Sequence, residues 1–302
     1  MAMAKRIFLF LALNFCVVIV MSFILYIFNV QPYLTQYGLN YQALAVFCLI
    51  WGMGGAFISL LLSRIMAKWM MGVQIIDPNT RNPELLGVLT MVYTLAQRAG
   101  LSSMPEVGIY DSPEVNAFAT GPSQSRSLVA ISTGLLNRMG KDDVEAVLGH
   151  EVTHIANGDM VTMTLLQGVV NAFVMFFARV VAFAISRALS RSRDEGEGVS
   201  TLMYQLTVFA LEIVFMILGS IVVATYSRHR EYRADAGGAR LAGRDKMIHA
   251  LQALKQTMEI KDESHQQTAF QSMKISSSGG VMRLFSSHPP IDERIARLQR
   301  GE

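Results

Sequence analysis

The chain has 302 residues, of which 52% are hydrophobic and 16% charged, with a formal net charge of +3. That is too apolar for an ordinary soluble domain. The near-neutral charge, with no basic stripe interleaved with aromatics, excludes nucleic acid as a natural partner. Cys16 and Cys48 both fall in apolar runs and read as small buried hydrophobes, not as a disulfide.

Residues 7–28 form an apolar run of 22 residues preceded by Lys5 and Arg6, long enough to cross a hydrocarbon core of about 30 Å. A cleavable signal peptide would fit the charged start. The run is long for one, and no small-x-small cleavage site follows, so a retained anchor is expected. A second run covers 43–62, with Gly52, Gly54 and Gly55 inside it and Arg64 and Lys68 after it. Small residues let membrane helices approach closely. The connecting stretch 29–42 holds no Lys or Arg, so the positive-inside rule puts both outer ends of this hairpin in the cytoplasm.

Residues 67–157 read as soluble. Asn82-Pro83-Glu84 is a helix start, combining a capping side chain, a first-turn proline and an acid at the positive end of the dipole. Gly100 ends that helix. Short strands are expected at 106–110, 115–119 and 127–132. Asp142 with Glu145 resembles a capping box that opens a helix running to an Asn157-Gly158 stop. Two more apolar runs follow at 160–186 and 202–226, holding the ionisable residues Arg179 and Glu212. A charge at membrane depth is costly unless paired, and the simplest reading pairs these two across their helices. The linker 187–200 carries three arginines, which complicates its placement outside the membrane and leaves open whether these runs span fully. Beyond it, helices are expected at 228–242, 244–258 and 291–299, with a Ser-, Gln- and Gly-rich loop at 259–280.

The chemistry sits at His150-Glu151-Val152-Thr153-His154. Histidines four apart share one helix face, so both imidazoles can reach one zinc ion, and the glutamate between them can take a proton from zinc-bound water. A catalytic zinc needs a third protein ligand. Glu231 is the best candidate, with Asp235 on the same helix face to hold the far nitrogen of a liganding histidine. The bland reading of the second pair is a solvated face, since arginines surround it. An even number of crossings between the two motifs returns them to one side.

The chain resembles the HtpX family of bacterial membrane zinc metallopeptidases, relatives of the CAAX prenyl endopeptidases. The likeness rests on Asn116-Ala117-Phe118-Ala119-Thr120-Gly121, on His150 through Asp159, on Ser227 through Asp235 and on His288-Pro289-Pro290. It implies a mainly α fold: four hydrophobic transmembrane helices and a cytoplasmic, zincin-like α+β protease domain with a small edge-strand sheet. The expected division is 1–66, a transmembrane hairpin; 67–159, the first protease segment; 160–226, a second helix pair; and 227–302, the second protease segment. It implies one Zn2+ per chain on His150, His154 and Glu231, with Glu151 as general base, in a gluzincin-type endopeptidase. His288 is a candidate oxyanion donor, or simply a helix-start residue fixed by the prolines, and Arg294 a further transition-state candidate. Asn116, Ala117, Phe118 and Ala119 resemble the edge strand that takes up an extended substrate; the plain alternative is an ordinary strand with Phe118 in the core. The partners implied are the lipid bilayer and unfolded or damaged membrane polypeptides, at the bacterial inner membrane, in stress-linked quality control. Rival readings are a membrane scaffold with a structural zinc and a transporter using Arg179 and Glu212. The intact Glu151 and the three-ligand set argue against the first.

Overall fold

The computed structural model describes residues 27, 34–35, 38–191, 201–265 and 284–301. In chain order the elements are strands β1 (Leu34–Thr35) and β2 (Gly38–Leu39), helix α1 (Tyr41–Met70), strand β3 (Gln74–Ile75), helix α2 (Pro83–Arg98), strands β4 (Glu106–Tyr110), β5 (Ala117–Thr120) and β6 (Leu128–Ser132), then helices α3 (Thr133–Arg138), α4 (Lys141–Ala156), α5 (Asp159–Arg191), α6 (Thr201–Ala242), α7 (Arg244–His265) and α8 (Ile291–Arg300). The fold is mainly helical with a small mixed sheet. Two compact units divide it: one takes the described residues up to Ser59 together with Met163–Val223, the other Leu60–Thr162 and the residues from Ala224 onward.

The first unit is built from apolar helices. Three helices among the described residues are long and apolar enough to cross a membrane: Tyr41–Met70, Asp159–Leu189 and Thr201–Ala242. The expected count was four, and the first of those runs, 7–28, lies outside the described residues except for residue 27. Phe57, Phe173, Phe209, Met216 and Val222 are exposed, as side chains that face lipid are. Small residues set the helix contacts. A Cβ at Gly52 would lie 2.6 Å from the Ala172 backbone nitrogen, and one at Gly168 would lie 2.8 Å from Met53 Sδ. Gly55, by contrast, faces open space. The Arg179 Nη1 donates to Glu212 Oε1 at 2.6 Å and to the Met175 carbonyl at 3.0 Å, so the expected pair forms.

The second unit carries the sheet, in the order β3-β4-β6-β5. β4 and β6 run parallel, and the outer strands pair antiparallel to them. β5 is therefore an edge. β3 escaped notice in the sequence because two residues carry no periodicity. The core gathers Leu89, Val92 and Leu95 of α2, Val129 and Ile131 of β6, Leu148, Val152 and Ile155 of α4, and Leu251 of α7. Asn82 caps α2 as expected, its Oδ1 accepting from the Glu84 backbone at 2.9 Å, and Gly100 ends that helix at φ +74°.

Three expectations need correction. α4 has no capping box: Gly140 is its N-cap and no side chain bonds there. Asp142 and Glu145 instead accept from Lys246 Nζ at 2.8 and 2.6 Å, a tertiary partner that outcompetes the local one. The runs 202–226 and 228–242 are one helix, because no Gly or Pro interrupts the backbone ladder between them. Finally, α7 continues through His265, so residues 259–265 are helical and the rest of that expected loop lies outside the described residues.

The half-buried ion pair gives a test of the apolar unit. Glu212→Leu strands the Arg179 charge and should destabilise the detergent-solubilised protein by on the order of 1–3 kcal/mol. Arg179→Leu with Glu212→Leu should recover at least half of that loss in thermal unfolding.

Candidate active site

α4 carries His150 and His154 one turn apart on a buried face, and α6 crosses it closely enough to bring Glu231 opposite both. Two glycines permit that approach. A Cβ on Gly237 would meet Thr153 Cγ2 at 2.2 Å, and one on Gly238 would lie 3.0 Å from the His150 nitrogen. The Nε2 atoms of His150 and His154 are 3.1 Å apart. They lie 3.5 and 3.4 Å from the two oxygens of Glu231. The three residues can offer ligand atoms that all fall within 4.8 Å of one another.

Carboxylates hold the outer nitrogens. His154 Nδ1 is 2.7 Å from Asp159 Oδ2, the first residue of α5. His150 Nδ1 is 3.0 Å from Asp235 Oδ1, although out of line for a full hydrogen bond. Asp235 is itself gripped by the buried Arg294, whose Nε and Nη2 donate to its two oxygens at 2.7 and 2.5 Å. With both Nδ1 atoms against carboxylates, both Nε2 lone pairs point inward, which is the arrangement of metal-binding histidines. His288 Nδ1 contacts Glu231 Oε2 at 2.9 Å, and Arg230 Nη2 donates to Glu231 Oε1 at 3.1 Å.

The electrostatics call for positive charge at the centre. Burial alone would push the His150 imidazole down, but the carboxylates of Asp235 and Glu231 outweigh it and raise it to about 9. Burial opposes charging at His154 too, and Asp159 and Glu231 overcome it. Burial would raise the Glu231 carboxyl, whereas His150, His154 and His288 hold it far below the carboxylate range. Two inward imidazoles and one carboxylate are a donor set suited to a divalent metal such as zinc.

Glu151 follows His150 on α4 and its Oε2 accepts the Ala119 backbone N–H at 3.0 Å. Ser132 N–H donates to the Asn116 carbonyl, so Asn116, Phe118 and Thr120 turn their backbone groups toward β6, while Ala117 and Ala119 turn theirs outward. A cleft of about 140 Å3 is lined by Asn116, Ala117, His150, Glu151, Glu231 and His288 among others. Phe118 instead packs on Tyr110, ring centroids 5.7 Å apart. Arg294 reaches the metal-ligand group through Asp235.

Sequence reasoning passed over Asp159 as an orienter and Ala119 N–H as a partner of Glu151. The first had a signal. Gly158 sits at φ +68°, a conformation that favours glycine, and turns the chain so that the next residue points back at the preceding helix. The second had none, because it depends on the docking of β5 against α4.

Comparison with known proteins fits this geometry. Residues 84–302 match the model for peptidase family M48. The chain is 53% identical to the Protease HtpX homolog of Bacillus licheniformis, over 98% of this chain and 99% of that one. It is 50% identical to the homolog of Bacillus subtilis over the same shares. The chain belongs to the HtpX group of peptidase family M48. As an HtpX-type protein it is a membrane-bound metalloprotease. The crystal structure of S. mikatae Ste24p shares the fold, with TM-score 0.62 at 18% identity, covering 98% of this chain and 64% of that one. This chain thus spans a little under two thirds of Ste24p.

The Asp159 contact predicts a specific defect. Asp159→Asn should keep the fold but weaken metal retention by about 10–100-fold. Chelator titration of the purified protein, followed by metal content, reads this out.

Proposed function

We propose that the chain is a zinc-dependent, gluzincin-type endopeptidase that cleaves misfolded or damaged membrane proteins at the cytoplasmic face of a bacterial inner membrane, as part of stress-linked quality control. One observation carries the reading: His150, His154 and Glu231 converge within 4.8 Å, with Glu151 on the same helix turn. Three protein donors among the described residues leave a coordination position for water, as catalytic zinc sites do and closed structural ones do not.

His150, His154 and Glu231 would hold one Zn2+ per chain. A bound zinc supplies Lewis acidity, lowering the pKa of water to about 7 and polarising the scissile carbonyl. Asp235 and Asp159 keep the Nδ1 protons outward, so both Nε2 atoms stay available as donors. Arg294 acts one step further out, fixing Asp235 by its two-pronged contact. The Ala119 N–H orients the Glu151 carboxylate. Glu151 takes a proton from the attacking water and returns it to the leaving nitrogen. His288, with its side chain 65% exposed beside Glu231, can swing its imidazole toward the developing oxyanion.

Substrate would add to the outward edge of β5, at the backbone groups of Ala117 and the carbonyl of Ala119, with Asn116 beside it. Recognition through backbone groups requires extended polypeptide and favours little sequence. An unfolded membrane protein supplies both conditions. The names of the relatives, Protease HtpX and its homologs, agree with proteolysis as the activity.

Purified full-length protein should cleave unfolded casein, lose that activity to a chelator and recover it with zinc. Glu151→Gln should retain zinc and fall by at least about a hundredfold in turnover. Glu231→Ala should lower zinc content itself; unchanged stoichiometry would remove Glu231 from the ligand set. A cysteine placed at position 195 should react with an impermeant reagent from outside the cell, whereas protection there would overturn the proposed orientation.

A further inference from the structure

The polar half of α6 faces α8 across a cavity of about 530 Å3, within the size range of small-ligand sites. Its lining includes Tyr226, His229, Tyr232 and Arg233 from α6, and Arg294 and Arg297 from α8. Tyr226, His229 and Arg233 are spaced by three and four residues and so share one helix face. The proteolytic cleft makes no use of His229, Arg233 or Arg297. We propose that this cavity binds the phosphate headgroup of an anionic phospholipid.

Its charge fits that ligand. Three arginines line it against one carboxylate, Asp235, which Arg294 already neutralises. Arg297 lies over the Tyr232 ring at 4.1 Å, and the Tyr232 hydroxyl donates to Glu293 Oε1 at 2.6 Å, which fixes the platform. Stacking holds a guanidinium by its face, and phosphate binds through its in-plane edge. Arg233 is 57% exposed at its side chain, with the Asp159 carboxylate 3.8 Å away, so it can turn toward an anion at the cavity mouth.

Position along α6 selects a lipid over a soluble phosphate ester, which shares the same chemistry. The apolar stretch 202–225 rises roughly 36 Å at 1.5 Å per residue, slightly more than a hydrocarbon core of about 30 Å. Tyr226 therefore falls at the depth where tyrosines concentrate, and His229 and Arg233 fall among headgroups. Basic residues just past a spanning helix attract anionic lipid. This reading rests on the apolar helices and is independent of the zinc chemistry.

The test uses purified full-length protein in a neutral detergent, with equal amounts of dioleoyl phosphatidylglycerol and dioleoyl phosphatidylcholine, and native mass spectrometry to count retained lipid. Wild type should retain phosphatidylglycerol several-fold over phosphatidylcholine. Arg233→Ala with Arg297→Ala should abolish that preference, since each arginine near the membrane surface is worth about fivefold. Arg297→Lys, which keeps the charge but loses the fork and the stack, should also reduce it, and decides the matter if the double variant fails to fold. Arg240→Ala, a basic residue on α6 outside the cavity lining, should leave it unchanged. Equal retention in wild type and the cavity variants, or equal loss in Arg240→Ala, overturns the proposal. So does displacement of the lipid by millimolar inorganic phosphate with no preference between the two lipids, which assigns the cavity to a soluble phosphate.

Discussion

The second unit depends on the close crossing of α4 and α6. Helices packed through ordinary side chains stand 8–10 Å apart. Gly237 and Gly238 remove the intervening atoms, so α6 rests on Thr153 and on the His150 backbone. That contact lies about two turns along α6 from Glu231, and it sets how deep the Glu231 carboxylate reaches between the imidazoles. The glycines weaken the helix locally, by about 1 kcal/mol each relative to alanine. They are kept near the C-terminal end of α6 because a methyl group would push Thr153, and the histidine beyond it, out of line.

Charge explains why so many ionisable groups tolerate burial there. Glu231 is 1% exposed and Asp235 2% exposed, values that would expel an unpaired carboxylate. Each is instead surrounded by donors: Glu231 by three imidazoles and Arg230, Asp235 by Arg294 and His150. The carboxylates raise the proton affinity of the histidines, and the histidines lower that of the carboxylates. A divalent cation satisfies the same demand with one charge centre in place of several protons.

α6 meets two environments by two versions of one rule. In its apolar half Glu212 answers Arg179, because hydrocarbon offers a charge no water. In its polar half Glu231 and Asp235 answer histidines and an arginine. One uninterrupted ladder of backbone hydrogen bonds links the two halves, so the change of surroundings costs the backbone nothing.

The sequence by itself determined what depends on local rules. Helical spacing put His150 with His154 and Glu231 with Asp235 on shared faces. Asn82 and Gly100 bounded α2, and three apolar runs gave helices because backbone in lipid must satisfy itself. Sequence also paired Arg179 with Glu212, since an unpaired charge at that depth is costly. Tertiary structure decided what depends on competition between distant partners. Asp142 and Glu145 could have capped α4, but Lys246, more than a hundred residues on, held them more strongly. Asp159 became the partner of His154 because the Gly158 turn aimed it there. The Ala119 amide reached Glu151 because the edge strand docks on α4, and no periodicity records which of two outward amides will meet a carboxylate. Spacing along one element is written in the chain, whereas distance between elements is fixed only when their side chains pack.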